Sequence, residues 1–384
     1  MASRSEFFRE AIHNSQDEQY DHACREVFSK LQLEAKNLTD LGDQGDQGDQ
    51  GDQGDPSEPF SDGVTLGKYT HAVHHNDGIF STVYKARPVS TGSNAGSKYV
   101  ALKVTNPAAM SLPHDSIREA RILTEAASPH VISLLETFRL PDGEFVMTFP
   151  FMPLDLEQLL RGEHLTTPQL KSHLTDLFQA LEHLHGLGII HRDVKPSNIL
   201  LASAAGPAYL ADFGIAWSPK DNASEPSECK ITDVGTTSYR PPELLFGFTG
   251  YSCALDMWAA GCVVAEAVAL KNVPLFDAGP LGSELALISS IFKNLGTPNL
   301  ETWPEVARFP DWGKIQFHEF PARRWEELLP TASDDARDLV CGLVCYESSW
   351  RLTAAQVGSP DSPILDIPSL TSDPGFNASL LESH

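Results

Sequence analysis

Eight consecutive residues, His191-Arg192-Asp193-Val194-Lys195-Pro196-Ser197-Asn198, restrict what this chain can fold into more than any other stretch. The apolar Ile199-Leu200-Leu201 follows at once, and Asp212-Phe213-Gly214 comes fourteen residues after Asn198. Upstream, Val100-Ala101-Leu102-Lys103 sets a lysine in a β-rich run. Each segment alone is modest evidence. In this order and at this spacing, chance is negligible.

Length and charge narrow the frame. A chain of 384 residues makes one large bilobed domain or two ordinary ones, with a sizeable buried core. With 41% hydrophobic and 21% charged residues it is neither mainly disordered nor collagen-like. A net charge of −24 repels phosphate backbones and anionic lipid, so neither nucleic acid nor a membrane surface is expected as a partner. The imbalance is steepest at the start, with 15 acids against 5 bases in the first 63 residues. No apolar run reaches the roughly 20 residues of a membrane span, and the opening MASRSEFFRE lacks the apolar core of a secretory signal. The six cysteines form no C-x-x-C pair, which points to a reducing, intracellular setting. Without a Lys/Arg cluster, nucleus and cytoplasm stay equally open. Cys341 and Cys345, four apart in an apolar stretch, are expected on the core face of a helix.

Four regions are expected. Residues 1–62 form an acidic extension, in which the Gly-Asp-Gln repeat at 42–55 has no apolar residue to bury and reads as a flexible linker. Residues 63–151 are rich in strands, with runs at Ser81–Ala86, Tyr99–Val104, Ser133–Arg139 and Glu144–Phe149. One helix interrupts them at Ser116–Ala126, where Ile117, Ala120 and Leu123 fall at helical spacing. Residues 152–356 are helical: Thr167 reads as an N-cap with Pro168 at the first position, and Leu170, Leu174, Leu177, Leu181 and Leu184 make one apolar stripe. Ala254–Leu270 reads as a buried helix, and 357–384, rich in Ser and Pro, as an irregular tail. Strands first and helices later predict an α+β chain of two lobes.

The three motifs match the catalytic loop, the metal motif and the β3 lysine of protein kinases, which the chain resembles over about residues 66–356. The resemblance implies a bilobal fold with a small β-rich lobe and a larger helical one, ATP and Mg²⁺ as cofactors, and a protein substrate. It casts Asp193 as acceptor of the substrate hydroxyl proton and Asn198 and Asp212 as oxygen ligands of the metal. Lys195 would reach the γ-phosphate and Lys103 the α- and β-phosphates, with Glu119 pairing Lys103 from the intervening helix. Gly78 would cover the phosphates; Val83, Ala101 and Leu200 would sandwich adenine, the Met152 backbone would meet its edge, and Phe149 would close the back of the pocket. Within the kinases, Pro113–Glu119, Leu295-Gly296-Thr297-Pro298, Trp303-Pro304 and Tyr239-Arg240-Pro241-Pro242-Glu243 resemble the cyclin-dependent branch, with Asp256 and Arg351 at matching positions.

Several departures carry information. Of the glycine-rich loop, aligned at Asn76–Val83, only Gly78 survives, and Ile79-Phe80 lacks the hydroxyls that an inhibitory phosphorylation needs. The activation-loop phosphothreonine of relatives aligns with Ile231, with the adjacent Thr232 the alternative acceptor because the loop is about four residues longer than usual. Arg118 and Arg192 match two of its three arginine partners, and Trp217 replaces the third. This favours activity without activation-loop phosphorylation, with apolar burial of Trp217 ordering the loop instead. Gly235 replaces the valine of proline-directed relatives and is expected to weaken the demand for a following proline. Together these features resemble the divergent, single-subunit CDK-activating kinases of fungi. That resemblance implies a monomer whose protein substrate is another cyclin-dependent kinase, with a cyclin possible but not required. A conventional cyclin-requiring kinase and a non-catalytic scaffold are the rivals.

Overall fold

The computed structural model describes residues 63–87, 99–162, 165–269 and 273–358. The acidic extension at 1–62 and the tail from 359 onward lie outside the described residues. Six strands make one antiparallel sheet in the order β1-β2-β3-β4-β6-β5. They are β1 (Val64–Leu66), β2 (Tyr69–Asp77), β3 (Ser81–Ala86), β4 (Val100–Thr105), β5 (Glu136–Arg139) and β6 (Phe145–Pro150). In β4 the period-two alternation is plain: Val100, Leu102 and Val104 join a small core with Leu66, Tyr69 and Val146, while Ala101 and Lys103 point to the other face. The register sets Lys103 between Val83 on β3 and Met147 on β6, in the middle of the sheet.

One helix, α1 (Ser116–Glu125), packs against this sheet. Asp115 caps it, its carboxylate accepting the N–H groups of Ile117 and Arg118 at 2.9 Å. Buried Ile122 and Leu123 face the core, and so do Arg118 and Glu119, which no apolar pattern anticipates.

The rest is helical, apart from a three-stranded sheet of β7 (Leu154–Asp155), β8 (Ile199–Leu201) and β9 (Ala208–Leu210). Next come α2 (Leu156–Arg161) and α3 (Thr167–Gly186). The cap of α3 is Thr166, one residue before the expected Thr167, because Thr166 and Gln169 close a reciprocal capping box. The five leucines of the α3 stripe are buried as expected. In α4 (Ala254–Val268) every residue from Leu255 onward is buried, and the helix ends at an extended Ala269. α5 (Glu284–Leu295) and α6 (Asp334–Leu343) complete the core. Cys341 corrects an expectation: α6 turns Leu339, Val340 and Leu343 inward, which leaves Cys341 exposed, and Cys345 lies past the helix end. Among the described residues no helix is long and apolar enough to cross a membrane.

A buried ion pair ties the helical part together. Arg351 donates to both carboxylate oxygens of Glu243 at 2.6 and 2.7 Å, and its guanidinium lies over the Trp258 ring.

Candidate active site

β4 delivers Lys103 to a point where two acids converge. Its Nζ lies 2.7 and 2.9 Å from the oxygens of Glu119 on α1 and 2.9 Å from Asp212. Burial alone would lower the Lys103 ammonium, but Asp212 and Glu119 outweigh it and hold the lysine above its ordinary value. The same lysine holds Asp212 well below the usual carboxylate range. Asp212 sits at φ +64°, a left-handed conformation costly outside glycine. Phe213 beside it is fully buried and meets the His191 ring edge-on at 4.8 Å.

A second cluster surrounds Asp193. Its Oδ1 accepts the Thr236 N–H at 2.9 Å and the Thr236 hydroxyl at 2.8 Å; its Oδ2 lies 3.0 Å from Asn198 Nδ2 and 2.9 Å from Lys195 Nζ. Lys195 also reaches the Thr236 hydroxyl at 2.8 Å. The carboxylate is thereby fixed by donors from its own loop and from the 232–237 segment. The loop is shaped from below by Asp256 of α4, whose two oxygens accept the N–H groups of His191 and Arg192 at 2.9 Å. That clamp holds Arg192 at φ +71°, another left-handed non-glycine residue. Asp256 is fully buried, and three donors, His185 among them, keep it ionised.

Between sheet and helices lies a cleft of about 510 Å³. The residues expected at a nucleotide, Gly78, Val83, Ala101, Lys103, Met152 and Leu200, all line it, as do Phe149, Asn198 and Asp212. Asp193 and Lys195 stand outside that lining, joined to it through Asn198. The loop over the cleft is a hairpin turn closed by Gly78 N–H to Ser81 O at 2.7 Å. A Cβ on Gly78 would sit 2.7 Å from Ser81 Oγ, a contact that rotation of the serine side chain could relieve. Ile79 is exposed at the tip, and Phe80 packs on His114 with ring centroids 4.7 Å apart.

Gly235 itself adopts a left-handed turn. Its φ is +77°, its carbonyl accepts from Arg240 Nε at 2.9 Å, and a Cβ there would lie 2.6 Å from the Arg192 carbonyl oxygen. The glycine removes the strain of this conformation and leaves the conformation in place. Thr236 is the site residue that sequence reasoning passed over. Its neighbour Gly235 stands out by residue type, but the two hydrogen bonds from Thr236 to Asp193 need the chain to return across 43 residues.

A lysine–glutamate pair beside a cleft, and an aspartate fixed by lysine, threonine and asparagine next to it, define a protein kinase. Residues 75–360 match the protein kinase domain family. The chain is 37% identical over 279 residues to the serine/threonine-protein kinase csk1 of Schizosaccharomyces pombe, covering 72% of this chain and 88% of that one. It is 37% identical to cyclin-dependent kinase 7 of Xenopus laevis over 73% of this chain and 76% of that one. Against cyclin-dependent kinase 20 of Danio rerio the figures are 35%, 73% and 78%. The chain belongs to the protein kinase family and is a serine/threonine protein kinase of the cyclin-dependent type.

Proposed function

We propose that this kinase transfers the γ-phosphate of ATP to an activation-segment threonine of another cyclin-dependent kinase, acting as a single intracellular chain. One observation carries the catalytic part of this reading. The Lys103–Glu119 pair and the Asp193–Lys195–Thr236 cluster are both assembled within one chain. A scaffold that had lost catalysis has no reason to keep two buried or strained charged clusters at the mouth of one cleft.

The residues present fit a nucleotide and its metal. Val83, Ala101 and Leu200 offer apolar walls, and Lys103 offers a fixed cation for phosphate oxygens. Asp212, with a side chain 48% exposed and fully ionised, is a hard oxygen donor facing the cleft, and the Asn198 amide is another. These two would hold Mg²⁺, which neutralises charge on the transferred phosphoryl group. Lys195 steadies the γ-phosphate. Asp193 accepts the substrate hydroxyl proton, its carboxylate aimed by Thr236 and Asn198.

The substrate class rests on the resemblance to single-subunit CDK-activating kinases and on the relatives named above. Gly235 adds to it, since a glycine holds this left-handed turn without side-chain strain, which weakens the demand for a proline after the target. The test is a transfer assay of the purified chain, without cyclin, on an unphosphorylated cyclin-dependent kinase and on a Ser-Pro peptide. The expected product is a phosphothreonine in the activation segment of the acceptor kinase, located by mass spectrometry. Transfer to the peptide alone would refute the substrate reading. An absolute need for an added cyclin would refute the single-chain reading.

A further inference from the structure

Two arginines from different elements are buried face to face. Arg118 projects from α1 and Arg192 precedes Asp193, and both side chains are fully inaccessible. Two guanidiniums so placed repel one another and have lost their hydration, so the fold requires an anion between them. The anion is Glu225. Its oxygens lie 3.2 and 3.4 Å from the Arg192 guanidinium and 4.0 Å from Arg118 Nη1, and Oε1 also accepts the Ile231 N–H at 3.4 Å. Burial alone would raise this carboxyl; Arg192 and Arg118 hold it below its ordinary value instead.

The backbone of Glu225 is fixed independently. Trp217, expected to order the segment by apolar burial alone, donates its indole N–H to the Glu225 carbonyl at 2.8 Å. The Trp217 ring also receives the Lys230 ammonium at 4.7 Å, so a third cation stands near the position where arginine is missing. The stretch just before Glu225 grips the outer face of α1. Asp221 pairs with both ends of the Arg121 fork at 2.6 and 2.9 Å, and Lys220 meets Glu125 at 2.7 Å. Ala223 O accepts from Arg118 Nη1 at 3.2 Å. α1 is the helix that carries Glu119 to Lys103.

We infer that Glu225 is a permanent positioning charge: its carboxylate joins α1, the Asp193 loop and the 217–231 segment, and makes the kinase competent with no phosphate added to that segment. The inference builds on the kinase reading, not on the choice of substrate. Glu225 touches no reacting atom; it acts through Arg192 on Asp193 and through Arg118 on Glu119. The cluster has no slack. Arg118 Nε and Arg192 Nε already lack a partner, so a neutral residue at 225 leaves two buried cations with backbone carbonyls but without the carboxylate they share.

The experiment compares full-length wild type with Glu225→Gln and Glu225→Asp on the Ser-Pro peptide. The glutamine keeps shape and removes charge, and the aspartate keeps charge. The expected result is a fall in kcat of about tenfold or more for the glutamine variant, with peptide KM changed less than about threefold, and recovery of most of the loss by the aspartate. Hydrogen exchange across residues 116–125 should quicken in the glutamine variant alone. A folded Glu225→Gln enzyme with kcat within about twofold of wild type would overturn the inference, as would equal loss in both variants. A measurement on wild type keeps the test open if the variants do not fold. After phosphatase treatment, with Thr232, Thr236 and Thr237 verified bare by mass spectrometry, activity should be unchanged, and its loss would overturn the inference. Peptide turnover without transfer to a cyclin-dependent kinase sinks only the substrate reading.

Discussion

Replacing Lys103 by methionine isolates a charge balance that the geometry makes calculable. The lysine is the only cation within hydrogen-bond reach that the described residues offer to Glu119, whose side chain is 2% exposed. Removing one partner of such a pair destabilises by about 3–5 kcal/mol when the other stays ionised. The carboxyl has an escape, which is protonation. From an ordinary pKa of about 4.3, taking up a proton costs about 3.7 kcal/mol at pH 7 and about 1.6 kcal/mol at pH 5.5. The loss is therefore capped near the first figure at neutrality and falls by about 1.4 kcal/mol per pH unit on acidification. Asp212, half exposed, is rehydrated when the lysine goes and adds little.

The sign follows from the variant's own carboxyl. Burial already raises the Glu119 carboxyl with Lys103 in place, and removing the lysine raises it further above its unfolded value, so the variant's deficit is largest at high pH and shrinks as pH falls toward the unfolded value. Thermal melts of wild type, Lys103→Met, Glu119→Gln and the double variant at pH 7.5 and 5.5 measure this. A loss of about 3 kcal/mol corresponds to a fall of about 5 °C for a domain of this size. The double variant should recover most of it, because no charge is then left buried. A Lys103→Met protein as stable as wild type at pH 7.5, or a deficit independent of pH, would refute the buried-charge account.

Three further expectations follow from the same contacts. Asp193→Asn should lower peptide turnover by about 10²–10⁴, since the amide keeps the shape and loses the proton acceptor; near-normal turnover would remove Asp193 from its role. Gly235→Ala should reduce kcat, because its Cβ would meet the Arg192 carbonyl 2.6 Å away and push on the residue before Asp193; steady-state kinetics on the peptide decide this. Arg351→Met should destabilise the fold by about 3–5 kcal/mol by leaving Glu243 buried and unpaired, read from denaturant melts.

What the sequence revealed depended on periodicity. β4 and α1 were legible because Val100, Leu102 and Val104 alternate and Ile117, Ala120 and Leu123 recur at helical spacing. β2 was not. Its YTHAVHHND buries only Tyr69 and Ala72, three apart, and its pairing with β3 slips between His74 and Asn76. A bulged strand whose residues are mostly exposed hides the period of two. Cys341 misled for the opposite reason: an apolar neighbourhood says that a helix is half buried, not which residue faces in. The cleft residues were legible through resemblance. The bond from Thr236 to Asp193 was not, since it depends on where the segment returns.

Glu225 shows where that boundary lies. The need for an anion was readable, because Arg118 and Arg192 align with positions that bind one and Ile231 cannot supply it. The supplier was not readable. Glu225 is one of three acids within 221–228, and nothing in residue type sets it apart from Asp221 or Glu228. The difference arises in the fold: the Trp217 indole holds the Glu225 backbone, Asp221 is drawn to Arg121, and Ile231 turns its own N–H toward the carboxylate. The tryptophan that removes one cation from the arginine set thus installs the anion for the other two. Loss of the phosphorylatable residue and loss of the third arginine are two sides of one exchange, in which a charge added after synthesis is replaced by one built into the chain.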